Sequence, residues 1–167
     1  MKAKWYIQLA LSAVSVCGCA TNHPNVSQPN HAIIQRYFDG WANHRDTAVA
    51  DELIATNVVL HSPPAVITSL ADYKKGMAGF HAAFPDLHFT IEDLIAEGDK
   101  VVTRWTLRGT QKADYQGHPA SDKPMTVTGM SLFRIADGKI QEIHVNMDRL
   151  GMMQQLGWLP TPAPPAK

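Results

Sequence analysis

The sequence predicts an α+β fold, with N-terminal helices packed on one face of a curved antiparallel sheet. Three observations predict it. Apolar residues recur at helical spacing up to residue 84 and with a period of two thereafter. Asp137-Gly138 joins two alternating runs, which signals a tight hairpin. The chain has 167 residues, 45% hydrophobic and 18% charged, enough for one ordinary core. Helices followed by strands, rather than alternating with them, indicate α+β.

The helical part reads as three segments. In "NHAIIQRYFDGWANHR", Ile33, Ile34, Tyr37, Phe38 and Trp41 share one face, and Asn30 is a candidate cap. "DTAVADELIA" supplies a short helix behind Asp46. A strand-like "NVVLH" follows, and then Ser69 with Asp72 three residues on opens a third helix, which Pro85 ends. Four strands come next: "LHFTIEDLIAEGD", "KVVTRWTLRGTQ", "PMTVTGMSLFRIADG" and "KIQEIHVNMD". "MDRLGMMQQLG" reads as a short closing helix, for which Asp148 is a suitable cap.

The ends of the chain differ from this body. Lys2 and Lys4 precede an apolar stretch from Trp5 to Val16, the layout of a secretory signal. "VCGC" resembles a bacterial lipoprotein box with Cys19 as the lipidated residue, so residues 1–18 read as the signal peptide. Cys17 stands where Ala or Ser is more usual. Residues 19–30 read as a polar tether, 31–159 as the domain, and 160–167 as a Pro-rich tail. The expected location is the periplasmic side of a membrane, held by the lipid, with plain secretion as the alternative. Both cysteines lie in this N-terminal segment, so no disulfide is expected within the domain.

Lys+Arg 15 balance Asp+Glu 15, and the charges are scattered. Nothing there favours nucleic acid, which is bound through basic surface. Eight histidines raise the question of metal, but no HExxH or short-spaced pair occurs, and no metal is expected. A glycine-rich phosphate loop and a Gly-x-Ser-x-Gly nucleophile elbow are also absent from the sequence.

The last strand carries the chemistry. Glu142, His144, Asn146 and Asp148 alternate with Ile143, Val145 and Met147. Continuing the Asp137-Gly138 hairpin without interruption sets Phe133 opposite Glu142, Ser131 opposite His144 and Gly129 opposite Asn146. The polar row then shares a face with Phe133, and the other face holds Met130, Leu132, Ile143, Val145 and Met147. Two arrangements fit: the polar row meets solvent, or it lines an internal cavity while the apolar face meets a second subunit.

"AFPDLHFTIEDLIAEGDKVVTRWTLRGT" together with "GHPASDKPMTVTGMSLFRIADGKIQEIHVNMDRLGMMQQLG" resembles the SnoaL-like polyketide cyclase (ester cyclase) family. The likeness runs from about residue 31 to 159. It implies a cone, a strongly curved sheet wrapped around helices with a deep pocket, and it turns the polar row inward. It implies a cofactor-free acid/base enzyme, an ester cyclase, aldol-type cyclase or isomerase, acting on a small hydrophobic carbonyl compound. The alternative is a lipid-anchored protein that binds such a molecule without changing it. A homodimer through the outer sheet face is also implied.

By motif position the resemblance makes Asp148 the acid/base, with His61 and His144 as further catalytic candidates. His144 stands where the family usually has Trp. Trp41, Trp105, Phe133 and Asn146 are candidate substrate contacts, as is Gln111, which occupies a position where the family often has His. One carboxyl group can serve as both base and acid when an apolar pocket raises its pKa.

Overall fold

The computed structural model describes residues 27–160; the expected signal peptide, the expected lipidation site Cys19 and most of the Pro-rich tail lie outside them. The order of elements is α1 (Ser27–Arg36), continued by a π-helical stretch (Tyr37–Asn43), then α2 (Thr47–Leu53), β1 (Ile54–Ser62), β2 (Ala65–Ile67) and α3 (Leu70–Ala83). Strands β3 (His88–Glu97), β4 (Lys100–Thr110), β5 (Pro124–Ala136) and β6 (Lys139–Met147) follow, and α4 (Arg149–Leu156) closes the domain.

The caps account for the helix starts. Asp46 accepts from the amides of Ala48 and Val49 at the start of α2. Ser69 accepts from Asp72 N at 3.1 Å and donates to its carboxylate at 2.7 Å, so the expected capping pair opens α3. Asn30 differs from expectation. It lies inside α1, buried, and its amide donates to Gly98 O across the β3–β4 turn at 2.9 Å.

The six strands form one sheet in the order β2-β1-β6-β5-β4-β3. The sheet is mixed rather than wholly antiparallel, because β1 joins β6 in parallel. Bulges interrupt β1, β3 and β6, each bending its strand, and the sheet curls round the helices. Ile34, Phe38, Phe84 and Phe133 fill the space between the helices and the inner sheet face.

The bulge in β6 corrects the expected register. Asp137 and Gly138 have φ of 52° and 72°, as a tight hairpin turn requires. Ala136 pairs with Lys139 and Ile135 with Ile140, but the next pair is Arg134 with Glu142. Gln141 is the extra residue. Beyond it Phe133 faces Ile143, Ser131 faces Val145 and Gly129 faces Met147. A one-residue slip exchanges the faces. Ile143, Val145 and Met147 therefore look inward, and Glu142, His144 and Asn146 look outward, against the inward orientation that the resemblance implied. The apolar set proposed for a dimer contact is divided as well: Met130 and Leu132 stay on the outer face, Met130 51% exposed, while the β6 residues leave it.

Candidate functional site: an apolar pocket and an outer ionic cluster

A cavity of about 300 Å³ lies among α3, the inner face of β4 to β6 and the end of β1. Its wall is mainly apolar, with Met77 and Phe80 of α3 on one side and Trp105, Leu107, Val145 and Met147 on the other. Trp105 is held in place twice. Its Nε1 donates to Ser131 Oγ at 2.9 Å, and its ring lies across Gly129, where a Cβ would stand 2.3 Å from the indole. Gly129 leaves room for the pocket wall.

Tyr37 and Tyr73 line the cavity, and their hydroxyls hydrogen-bond to each other. Burial, with Tyr73 alongside, pushes the Tyr37 phenol well above the ordinary tyrosine range, and burial raises Tyr73 too. Both stay protonated. Two hydroxyl hydrogens and one shared bond leave one hydrogen free for a guest. Trp41 lies beside the pair, edge-on to Tyr73; its buried indole N–H falls outside hydrogen-bond geometry but is near enough to the Tyr73 hydroxyl to work against the rise there.

Arg149 is the charged side chain in the lining; its Nη2 donates to Ser62 Oγ at 3.0 Å. Among the described residues no Asp, Glu or His lines the cavity. The pocket suits a guest with an apolar body and an oxygen that accepts hydrogen bonds.

Of the residues expected to touch substrate, Trp105 lines the cavity. Phe133 lies behind the lining, fully buried and edge-on to Tyr37 and Phe38. Trp41 is likewise one layer back. Gln111 is fully buried and fastens the loop before β5: its amide donates to the carbonyls of Ala113, His118 and Pro119, and its oxygen accepts from Ser121 and Trp158. Asn146 is exposed on the outer face.

Asp148 is exposed and caps α4, its Oδ1 accepting from Gly151 N at 2.7 Å. Met147 and Arg149 on either side of it both line the cavity, so its carboxylate stands next to the wall in sequence without forming part of it. His61 and His144 are brought together, but outside. Both approach Glu142, whose carboxylate the Arg134 hydrogen bond holds below the usual glutamate range, with His61 and His144 helping.

Sequence reasoning passes over the polar lining groups Tyr37, Tyr73 and Arg149, and with them Ser62, Tyr115 and Gln116. In the sequence Tyr37 reads as part of an apolar helical stripe. The signal available was its phenol, since a tyrosine buried in such a stripe needs a partner for its hydroxyl.

Fold and cavity together define an α+β cone with an internal, mainly apolar pocket. A profile of the SnoaL-like polyketide cyclases matches residues 31–156, and the chain belongs to that family. Among solved structures it is similar to a proposed SnoaL-like polyketide cyclase from Jannaschia sp. CCS1, with 25% identity, TM-score 0.75, and coverage of 81% of this chain and 96% of that one. AclR, a proposed hydroxylase from Streptomyces galilaeus, gives 25%, 0.73, 82% and 86%. IdmH, a proposed polyketide cyclase from Streptomyces antibioticus, gives 29%, 0.68, 78% and 99%. No curated protein matches the chain in sequence.

Proposed function

We propose that the protein is a cofactor-free enzyme of the cyclase or isomerase type, acting on a small, largely apolar carbonyl compound held in the pocket. The observation that carries this reading is the protonated Tyr37–Tyr73 hydroxyl pair inside an apolar cavity. Loss of a proton from the carbon beside a carbonyl places negative charge on the oxygen. A fixed O–H donor in a water-poor site stabilises that enolate, and such donors contribute about 10²–10³ in rate. The carbanion then attacks a second carbonyl or is reprotonated elsewhere. Arg149 suits a second oxygen or an acidic tail on the substrate. Asp148, the acid/base that the family resemblance implies, lies outside the lining between Met147 and Arg149, and we assign it as proton acceptor on condition that its side chain leaves the α4 cap and turns to the pocket. Family membership and the likeness to proposed cyclases support the reaction class.

The test is exchange of deuterium from solvent into a panel of 1,3-dicarbonyl compounds. Wild type should accelerate exchange; Tyr37→Phe and Tyr73→Phe should lower it by about 10²-fold with the fold intact. Asp148→Asn keeps a capping side chain, so loss of exchange in that variant would identify the base, and unchanged exchange would remove Asp148 from the mechanism.

A second reading, a binding protein without turnover, is favoured by the lack of any carboxylate or imidazole among the described lining residues. It predicts that compounds raise the melting temperature while no exchange occurs.

A further inference from the structure

On the solvent face of the sheet, His61 of β1 and His144 of β6 are Cα partners across the parallel strand pair. Their imidazoles stack, with ring centroids 4.2 Å apart and planes 6° apart. Glu142 lies two residues before His144 on the same face. Its Oε1 stands 3.1 Å from His61 Nε2 and 3.2 Å from His144 Nε2. Arg134 Nε donates to the other oxygen at 3.2 Å and fixes the orientation of the carboxylate. We propose that His61, Glu142 and His144 form a binding site for a divalent transition-metal cation of the zinc–copper class.

The three donor atoms lie within 4.8 Å of one another. In a tetrahedral site with metal–ligand bonds of about 2.0–2.1 Å, neighbouring ligand atoms are about 3.3 Å apart. Both nitrogen–oxygen edges already have nearly that length. Closing the third edge requires the two stacked rings to tilt toward each other, a side-chain movement that leaves the strands in place. Without a cation, a single oxygen serves two parallel rings; a cation between them takes a lone pair from each of the three groups. Two imidazoles and one carboxylate favour zinc, copper or nickel over magnesium and calcium, which take oxygen shells. The side chains of His61, Glu142 and His144 are 34%, 30% and 45% exposed, so water has access to complete the coordination. Arg134 acts as the outer partner that such ligands usually have. The site shares no residue with the pocket lining and does not depend on the function proposed for it.

The test is isothermal titration of the full chain, in detergent micelles, with zinc chloride, and with magnesium chloride as the contrasting cation. Wild type should bind one zinc ion at this site and no magnesium. His61→Ala and His144→Ala should each weaken that step by at least about tenfold, the loss typical of disturbing even an outer partner. His88→Ala, on an exposed histidine at the other edge of the sheet, should leave it unchanged. Copper(II) bound to wild type should show hyperfine coupling to two imidazole nitrogens by electron paramagnetic resonance, a readout that needs no variant. Equal zinc binding in the wild type and both cluster variants, or copper coupled to fewer than two nitrogens, would overturn the proposal.

Discussion

His81 is buried in α3, and burial lowers its pKa, with the positive charge of Arg45 lowering it further. The folded protein therefore holds this ring neutral. As pH falls through about 6.5, the unfolded chain takes up a proton that the folded chain refuses, and stability is lost toward acid; above that range the residue contributes no pH dependence. His81→Leu should accordingly lose less melting temperature than wild type between about pH 7.5 and 5. Parallel curves for the two proteins, recorded by circular dichroism, would contradict this. At this scale the sequence disclosed unevenly. Trp105 was readable as wall because it alternates with Arg104 and Arg108 along β4. Tyr37 and Tyr73 were not, because their meeting depends on how the π-helical stretch lies against α3, and no spacing within either helix encodes a contact 36 residues apart.

The elements themselves were largely readable, because caps and turns are local chemistry. Asp46, Ser69 and the Asp137-Gly138 turn all act as their residue types suggest. The three-residue β2 was too short to show a period, and the parallel pairing of β1 with β6 has no local signature. The decisive miss was Gln141. A bulge is one extra residue in an otherwise alternating run, and alternation in "KIQEIHVNM" continues on either side of it. It exchanged the two faces of β6 and with them the assignment of the polar row. Deleting Gln141 should force either Ile143, Val145 and Met147 into water or the Asp137-Gly138 turn out of register. The expected outcome is a protein that fails to give a cooperative urea transition, whereas Gln141→Ala should keep one. A deletion variant with native stability would show that the strand can be re-registered freely.

At the scale of the molecule, the helices do not close the cone completely, and the space they leave is the pocket. Met77 on α3 reaches into it. Met77→Trp should occupy the cavity, keep the melting temperature at or above that of wild type, and abolish the rise that a pocket ligand produces. For wild type that rise corresponds to about 2.7 kcal/mol at a ligand concentration 100 times Kd. Thermal shift with and without ligand reads both effects. The fold class was legible because composition, period and order agree on it; the inside and outside of the sheet were not, because they turn on one bulge. The strand order has a further consequence, in time rather than in space. β1 is made early, yet its long partner β6 is separated from it by the whole of α3 and four strands. During synthesis the β3–β4–β5 hairpins can form from local contacts, whereas β1 has only the three residues of β2 to pair with until Lys139–Met147 is available. The last strand is therefore the one that commits the chain, and any interval before it arrives is one in which the edge of β1 is open to a chaperone.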